Sequence, residues 1–149
     1  MTSLFFDTDI LLDLLLARAP HHTPAAELLS LVEAGVVRGA MSPLTVANLH
    51  YVLRRAMTKA AAIQHVRKLR LIVRVVTLDE QIIDRALSAE EFSDFEDAIQ
   101  YYSAVVHKMD GLVTRNKRDY RQATIPLYTA EEYLTIHHLK GAPRAGGAS

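Results

Sequence analysis

The residues best placed for chemistry are acids that stand where predicted strands and helices meet polar segments. The apolar run of residues 3–6 ends at Asp7, and an apolar helical pattern begins directly after it. A buried strand that stops there places the Asp7 carboxylate at its carboxyl end, the edge at which open α/β sheets bind ligands. The prediction of a binding site at this edge becomes stronger if acids from later segments converge on it.

A second acidic segment, residues 93–100, begins a predicted helix that extends to residue 107. The apolar side chains of this helix recur on one face, and Asp97 lies in the first turns just beside that face. The positive end of a helix stabilises an acid, so Asp97 also has a purely structural explanation. Ser93 and Glu96 have the spacing of a capping box, and Glu96 is therefore equally a cap or part of a site.

A third candidate segment follows the short apolar strand predicted at residues 111–114. The chain leaves this strand into a polar loop that carries Thr114, Asn116 and Asp119. Loops positioned by a rigid scaffold often carry binding and catalytic groups. In the alternative interpretation, the loop is a solvated turn in which Asn116 and Asp119 bond only to nearby backbone groups.

These segments belong to a chain in which strand and helix patterns alternate. Such alternation favours the α/β class, with a mainly parallel central sheet and helices on both faces. The strands are predicted at residues 3–6, 36–41, 72–78, 111–114 and 125–128, and the helices at residues 9–17, 23–33, 43–57, 59–71, 79–89, 93–107 and 129–138. The polar residues expected to begin helices include Asp9, Thr23, Ser42 and Thr58. Residues 1–138 form one predicted domain, and the Gly-, Ala- and Pro-rich residues 139–149 are predicted to be a disordered tail.

Composition limits the function classes. The 149 residues carry 17 basic and 17 acidic side chains, so the net charge is zero and a nucleic-acid site has to be a local patch. Cysteine is absent, which excludes disulfides and thiolate chemistry and fits a reducing cytoplasm. No signal peptide is recognisable, and no uncharged run approaches the ~20 residues that span a bilayer. We therefore expect a soluble, cytoplasmic protein that does not enter a membrane.

Taken together, the acidic segments resemble the motifs of a PIN domain. The matching segments are Phe6-Asp7-Thr8-Asp9 with Leu12-Asp13, Asp94-Phe95-Glu96-Asp97-Ala98 and Val113-Thr114-Arg115-Asn116-Lys117-Arg118-Asp119-Tyr120. PIN domains are metal-dependent nucleases with a three-layer α/β/α fold, and many small bacterial members are toxins of the VapC type. The resemblance, which extends to about residue 133, implies a Mg²⁺- or Mn²⁺-dependent endoribonuclease that hydrolyses RNA. It also implies an antitoxin protein as partner. An apolar surface of the third and fourth helices could bury an antitoxin segment or a second copy of the chain, so a homodimer is expected as well. The candidate residues, which are equally consistent with ordinary core, are Tyr51, Val52, Met57, Ile63 and Val66.

By that resemblance, the expected catalytic residues and metal ligands are Asp7, Asp97 and Asp119. Hydrolysis of a phosphodiester needs an activated water and compensation of the charge on the phosphate, and divalent ions with oxygen ligands supply both. Two positions depart from the family pattern, because Asn48 and Asn116 stand where many members have glutamate and aspartate. The residues expected to support the site are Asn48, Glu96, Thr114 and Asn116.

Substrate contacts are expected from basic residues close to the acids. An anionic substrate needs positive charge beside the carboxylates. The third acidic segment provides it through Arg115, Lys117 and Arg118, with Arg121 just beyond. A second basic group is a further candidate for substrate contact, although solvated helix faces and a basic helix end that meets its dipole are the favoured explanation. That group consists of Arg54, Arg55 and Lys59, followed by Arg67, Lys68, Arg70 and Arg74.

Two other functions remain open. With amides at positions 48 and 116, the chain could be a PIN-like module that binds nucleic acid or protein and has a weakened metal site. The run Asp7-Thr8-Asp9 after a strand also resembles phosphotransferases of the haloacid dehalogenase type, although the later lysine and acid-pair motifs of that family are not evident. Asp9 distinguishes the phosphotransferase from the PIN nuclease, because such a phosphotransferase needs this acid and a PIN nuclease does not.

Overall fold

A five-stranded sheet with helices on both faces forms the computed structural model, which describes residues 1–120 and 123–141. The strands are β1 (Ser3–Phe6), β2 (Arg38–Met41), β3 (Val73–Val75), β4 (Gly111–Val113) and β5 (Leu127–Tyr128). The helices are α1 (Thr8–Leu15), α2 (His22–Glu33), α3 (Pro43–Ala56), α4 (Lys59–Arg70), α5 (Glu80–Leu87), α6 (Phe95–Val106) and α7 (Ala130–Gly141), with a short 3₁₀ helix at Lys117–Tyr120. This architecture confirms the predicted three-layer α/β/α class. Arg121 and most of the predicted tail, residues 142–149, lie outside the described residues.

All neighbouring strands are parallel, and the strand order is β3-β2-β1-β4-β5. Strand β1 lies at the centre, where Phe5 is in register with Ala40 of β2 and Leu112 of β4. The order reverses at β1, so the crevice beyond the carboxyl ends of β1 and β4 is a topological switch point. Asp7 and Thr114 directly follow these two strands, which brings them to this crevice.

Side chains of the sheet alternate between two cores, as the pleat requires. Leu4 and Phe6 of β1 are fully buried against α1–α4 and α7, whereas Phe5 is buried on the opposite face in the core to which α6 contributes. Burial on both faces holds the strand ends, and the residues that follow them, in fixed positions. None of the described helices combines the length and apolar composition that crossing a bilayer requires.

The polar residues that begin the helices agree only in part with expectation. Ser42 and Thr58 cap α3 and α4 as predicted, since their hydroxyls accept hydrogen bonds from Thr45 N at 3.1 Å and Ala61 N at 3.2 Å. The predicted cap Thr23 was wrong, because α2 begins at His22 and Thr23 lies within its first turn. The following Pro24 is tolerated there, since first-turn amides have no partner within the helix.

Replacing Gly111 with alanine should destabilise the strand that leads to Thr114. A Cβ atom at residue 111 would lie 2.6 Å from Tyr128 Cε2, and that ring already packs edge-on against Tyr133. Overpacking of this kind costs about 1–3 kcal/mol of unfolding free energy, measurable by urea denaturation. In a Tyr128→Ala background the clashing ring is gone, so the cost should fall; an equal cost in both backgrounds would contradict this explanation.

Candidate active site

A cleft of about 280 Å³ opens at the carboxyl edge of the sheet. The three acids singled out from the sequence, Asp7, Asp97 and Asp119, all line it, although they come from β1–α1, α6 and the 3₁₀ helix. Parallel strands end at the same edge, and α6 begins there, so residues far apart in sequence converge. The other polar residues that line the cleft are Thr8, Asp9, Asn48, Glu96, Gln100 and Asn116.

Asp7 is held by hydrogen bonds to both carboxylate oxygens. Oδ1 accepts from Thr8 N at 2.8 Å and so caps α1, the role that the sequence assigned wrongly to Asp9. Oδ2 accepts from Thr114 Oγ1 at 2.8 Å and from Tyr120 Oη at 3.3 Å. Burial raises the pKa of Asp7 most, and the bond from Thr114 partly opposes that rise.

Asp97 lies in the first turn of α6, whose start differs from the predicted one. Asp94 caps this helix by accepting from Glu96 N at 2.8 Å and from Asp97 N at 3.4 Å. The predicted capping box of Ser93 and Glu96 was therefore wrong, and the Glu96 side chain lines the cleft instead. Burial, followed by the charges of Asp94 and the other two cleft acids, raises the pKa of Asp97 to about 7.

Tyr120 connects the two carboxylates and is the residue that sequence reasoning missed, since the sequence suggested for it only core packing or stacking on a base. Its ring is fully buried in the core that contains Phe5, and its hydroxyl lies 3.3 Å from Asp7 Oδ2 and 3.4 Å from Asp97 Oδ1. Burial and the two acids raise the pKa of the phenol, so it remains a donor. One sequence feature could have indicated this role: the residue directly after Asp119 is a tyrosine, which can donate a hydrogen bond, rather than a purely apolar residue.

The three acids do not form a ready-made metal cluster. Among residues 1–120 and 123–141, no three His, Asp or Glu side chains are grouped closely enough to hold an ion. Asp119 is exposed on the 3₁₀ helix, where its charge still acts on Asp97. Asn48, on the α3 side of the cleft, adds a neutral amide. The arrangement thus supplies oxygen atoms from four segments around one opening.

A buried polar network lies beneath the cleft, and nothing in the sequence indicated it. Gln100 of α6 accepts from Ser42 Oγ at 2.7 Å and donates to Thr45 Oγ1 at 2.6 Å. Thr45 Oγ1 in turn lies 3.0 Å from the hydroxyl of Thr8, next to Asp7. Because Ser42, Thr45 and Gln100 are buried, these hydrogen bonds fix the relative positions of α1, α3 and α6.

Two of the three basic residues expected to contact substrate are paired with acids. Arg115 Nε lies 2.8 Å from Asp13 Oδ2, and Arg18 Nε lies 3.0 Å from Asp13 Oδ1. Asp13 is only 1 % exposed, so these pairs tie the loop after β4 to α1, and Asp13 does not border the cleft. Lys117 Nζ lies 2.9 Å from Glu132 at the start of α7, while Arg118 is exposed.

Replacing Tyr120 with phenylalanine should raise the pKa of Asp97 above its value of about 7. The hydroxyl donates to the charged carboxylate, and its loss removes part of that stabilisation, worth roughly 0.5–1 pH unit. Carbon-detected NMR titration of the Asp side chains without added metal would measure the change. Tyr101→Phe is the matched control, because the Tyr101 hydroxyl bonds to Thr124 instead. A pKa unchanged by Tyr120→Phe would contradict the assignment.

Comparison with solved structures identifies the same fold in several proteins. VapBC2 from Rickettsia felis, bound to a DNA fragment of its promoter, matches with a TM-score of 0.69 at 16 % identity, over 86 % of this chain and 98 % of that one. A toxin–antitoxin complex from Klebsiella pneumoniae matches with a TM-score of 0.65 at 26 % identity, over 85 % and 96 %. VapC20 from Mycobacterium tuberculosis, a toxin that cleaves the sarcin–ricin loop, matches with a TM-score of 0.57 at 21 % identity, over 73 % and 86 %.

Sequence comparison agrees with the fold. No curated protein matches the chain in sequence. The family model described as PIN domain matches residues 3–118, which include β1 with Asp7, α6 with Asp97 and most of the loop after β4. The match covers well over half of the chain, and it confirms the resemblance inferred from the three acidic motifs. The chain therefore belongs to the PIN domain family.

Proposed function

We propose that this protein is a Mg²⁺- or Mn²⁺-dependent endoribonuclease that hydrolyses RNA phosphodiester bonds and acts as the toxin of a toxin–antitoxin pair. The observation that carries the proposal is the convergence of Asp7, Asp97 and Asp119 on one cleft at the switch point of the sheet. Membership of the PIN family and the toxin structures of the same fold support the reaction class.

The residues of the cleft fit a hard divalent cation. All the available donors are carboxylate, amide or hydroxyl oxygens, which Mg²⁺ and Mn²⁺ prefer. Burial first, and then the charges of neighbouring acids, raise the pKa values of Asp7 and Asp97, so a bound cation would lower the cost of keeping both ionised. Asp7 and Asp97 would hold the ion, with Asp119 as a third ligand. When bound, the ion would activate a water and neutralise charge on the phosphate.

The remaining side chains of the site orient these ligands. Thr114 and Tyr120 donate to Asp7 Oδ2, whereas Asp7 Oδ1 accepts, among the described residues, only the bond from Thr8 N and retains a lone pair for a cation. Asn48 and Asn116 can accept or donate hydrogen bonds to solvent or phosphate without adding charge. Because they are neutral, they favour one tightly held ion over two.

The partner proposed for this chain is an antitoxin protein. The Klebsiella pneumoniae structure, which is 26 % identical over 85 % of the chain, is a toxin–antitoxin complex. That likeness supports the proposal that this chain is the toxin of such a pair. The expected homodimer remains a prediction from the sequence.

A second candidate function is a PIN-like module that binds nucleic acid or protein and does not cut. Two observations favour it: Asn48 in place of an acid, and the lack, among the described residues, of three grouped metal-binding side chains. The nuclease is the better supported function, because three acids already line one cleft and the chain belongs to the PIN domain family.

Cleavage of labelled, mixed-sequence RNAs tests the proposal directly. The wild-type protein should cut only with Mg²⁺ or Mn²⁺, and Asp97→Asn should reduce the rate by about 100-fold or more, because one charged ligand is lost. Asp9→Asn is the matched control: a nuclease largely retains activity, whereas a phosphotransferase loses it. Cutting that persists in EDTA, or in Asp97→Asn at the wild-type rate, would refute the proposal; cutting by neither protein would favour the binding module.

Thermal unfolding gives a test of metal binding that does not depend on activity. An ion at 100 times its dissociation constant adds about 2.7 kcal/mol of stability, which corresponds to a Tm increase of roughly 5–10 °C in a domain of this size. Millimolar Mn²⁺ should produce this increase in the wild type and in Asp84→Asn, which alters an exposed acid of α5. Asp97→Asn should abolish it. Equal increases in all three proteins would indicate binding elsewhere.

A further inference from the structure

Charge is distributed very unevenly along this neutral chain. Residues 34–78 contain eight Arg and Lys and no Asp or Glu, so all 17 acids lie outside that segment. The segment comprises β2, α3, α4 and β3. A protein with zero net charge therefore has one strongly positive part, which attracts polyanions locally.

The positive segment begins at the mouth of the acidic cleft. Helix α3 lines the cleft through Leu44, Asn48, Tyr51 and Val52. Arg54 and Arg55 follow within the next turn of α3, and Lys59 begins α4 directly after it; all three are exposed. A strand of nucleic acid that enters the cleft would therefore pass these cations.

The α3 cations differ from those of the loop after β4 in their partners. Arg115 and Lys117 are paired with Asp13 and Glu132, so their charge is already compensated. Within the described part of the chain, Arg54, Arg55 and Lys59 form no ion pair with a carboxylate. Arg54 donates to Met57 O at the end of α3, which satisfies a carbonyl but leaves the positive charge in place.

Tyr51 is an exposed aromatic ring at this position. It is 63 % exposed and borders the cleft. The Arg55 guanidinium lies 4.9 Å from its ring centroid and donates to its hydroxyl at 3.0 Å. This contact orients the ring and leaves much of it open to solvent. An exposed aromatic ring beside uncompensated cations is the arrangement that binds single-stranded nucleic acid by stacking and phosphate contact.

We infer that Tyr51, Arg54, Arg55 and Lys59 form the docking surface for single-stranded RNA next to the cleft. Tyr51 stacks on a base, and the three cations contact the flanking phosphates. The inference rests on the proposed function for the identity of the polyanion, and it explains how a cleft lined by acids attracts an anionic substrate. It also moves the expected phosphate contacts from the loop after β4 to the end of α3.

The test measures RNA binding without cleavage. Asp97→Asn protein without divalent ions is titrated with a labelled single-stranded RNA of mixed sequence at several salt concentrations. In that background, Arg54→Ala, Arg55→Ala and Lys59→Ala together should weaken binding at least tenfold and reduce the slope of log affinity against log salt by about 2. Binding is thereby separated from the proposed hydrolysis, which can fail without affecting this result.

The matched control removes the same charge from the other end of α4. Arg67→Ala, Lys68→Ala and Arg70→Ala together alter three exposed cations of the same acid-free segment. This control should change RNA affinity less than threefold. Equal weakening by both triple variants would overturn the inference in favour of a general electrostatic effect, and no weakening by the first would overturn it outright. Circular dichroism verifies that each variant is folded.

Tyr51 is tested separately from the charges. Tyr51→Ala should weaken RNA binding roughly fivefold to a hundredfold, whereas Tyr51→Phe, which keeps the ring, should stay within about threefold of the parent protein. An acidic polypeptide, poly-glutamate of similar charge, serves as competitor. Poly-glutamate that binds as tightly as RNA, with an affinity indifferent to Tyr51→Ala, would overturn the inference and identify the surface as a site for an acidic protein.

Discussion

Burial of carboxylates that also repel neighbouring acids in one cleft determines how the rest of the site is built. Asp7 arrives from the end of β1 and Asp97 from the first turn of α6, and both have raised pKa values. The surrounding donors, Thr8 N, Thr114 Oγ1 and Tyr120 Oη, compensate part of this charge. Tyr120 has one proton for two acceptors at 3.3 and 3.4 Å, so it cannot satisfy both fully. The cleft therefore retains a demand for positive charge.

Neutral side chains hold the helices beneath the cleft in position. The buried network around Gln100 connects α6 to Ser42 and Thr45 of the α3 start and to Thr8 of α1. An acid in place of Gln100 would add to the repulsion between Asp7 and Asp97, whereas an amide both donates and accepts without charge. Rigidity beneath the cleft is thus obtained from hydrogen bonds, and the charge stays at the opening.

The basic residues near the site form two groups: one is paired with carboxylates and holds a loop in place, and the other is exposed at the surface. Arg115 is anchored on the buried Asp13, and Lys117 on Glu132, so these cations hold the loop that carries Asn116 and Asp119. Their attraction for an external anion is reduced, because each is already close to a carboxylate. The second group lies in the acid-free segment of residues 34–78. Its cations near the cleft, Arg54, Arg55 and Lys59, are exposed and can bind an external anion.

The sequence by itself determined the class of fold, the edge of the sheet and the acids that lie there, because strand and helix periodicity and the residues at strand ends are local properties. It therefore predicted correctly that β1 ends at Asp7 and that β4 leads into the loop with Asp119. It did not determine which residue caps α1 or α6, since neighbouring polar residues compete for one cap and a shift of one or two residues decides between them. Only the tertiary structure placed the Tyr120 hydroxyl between two carboxylates and Arg115 on Asp13. Those contacts join residues far apart in the sequence, from 23 positions for Tyr120 and Asp97 to 113 for Tyr120 and Asp7, and no local pattern encodes which distant groups packing brings together.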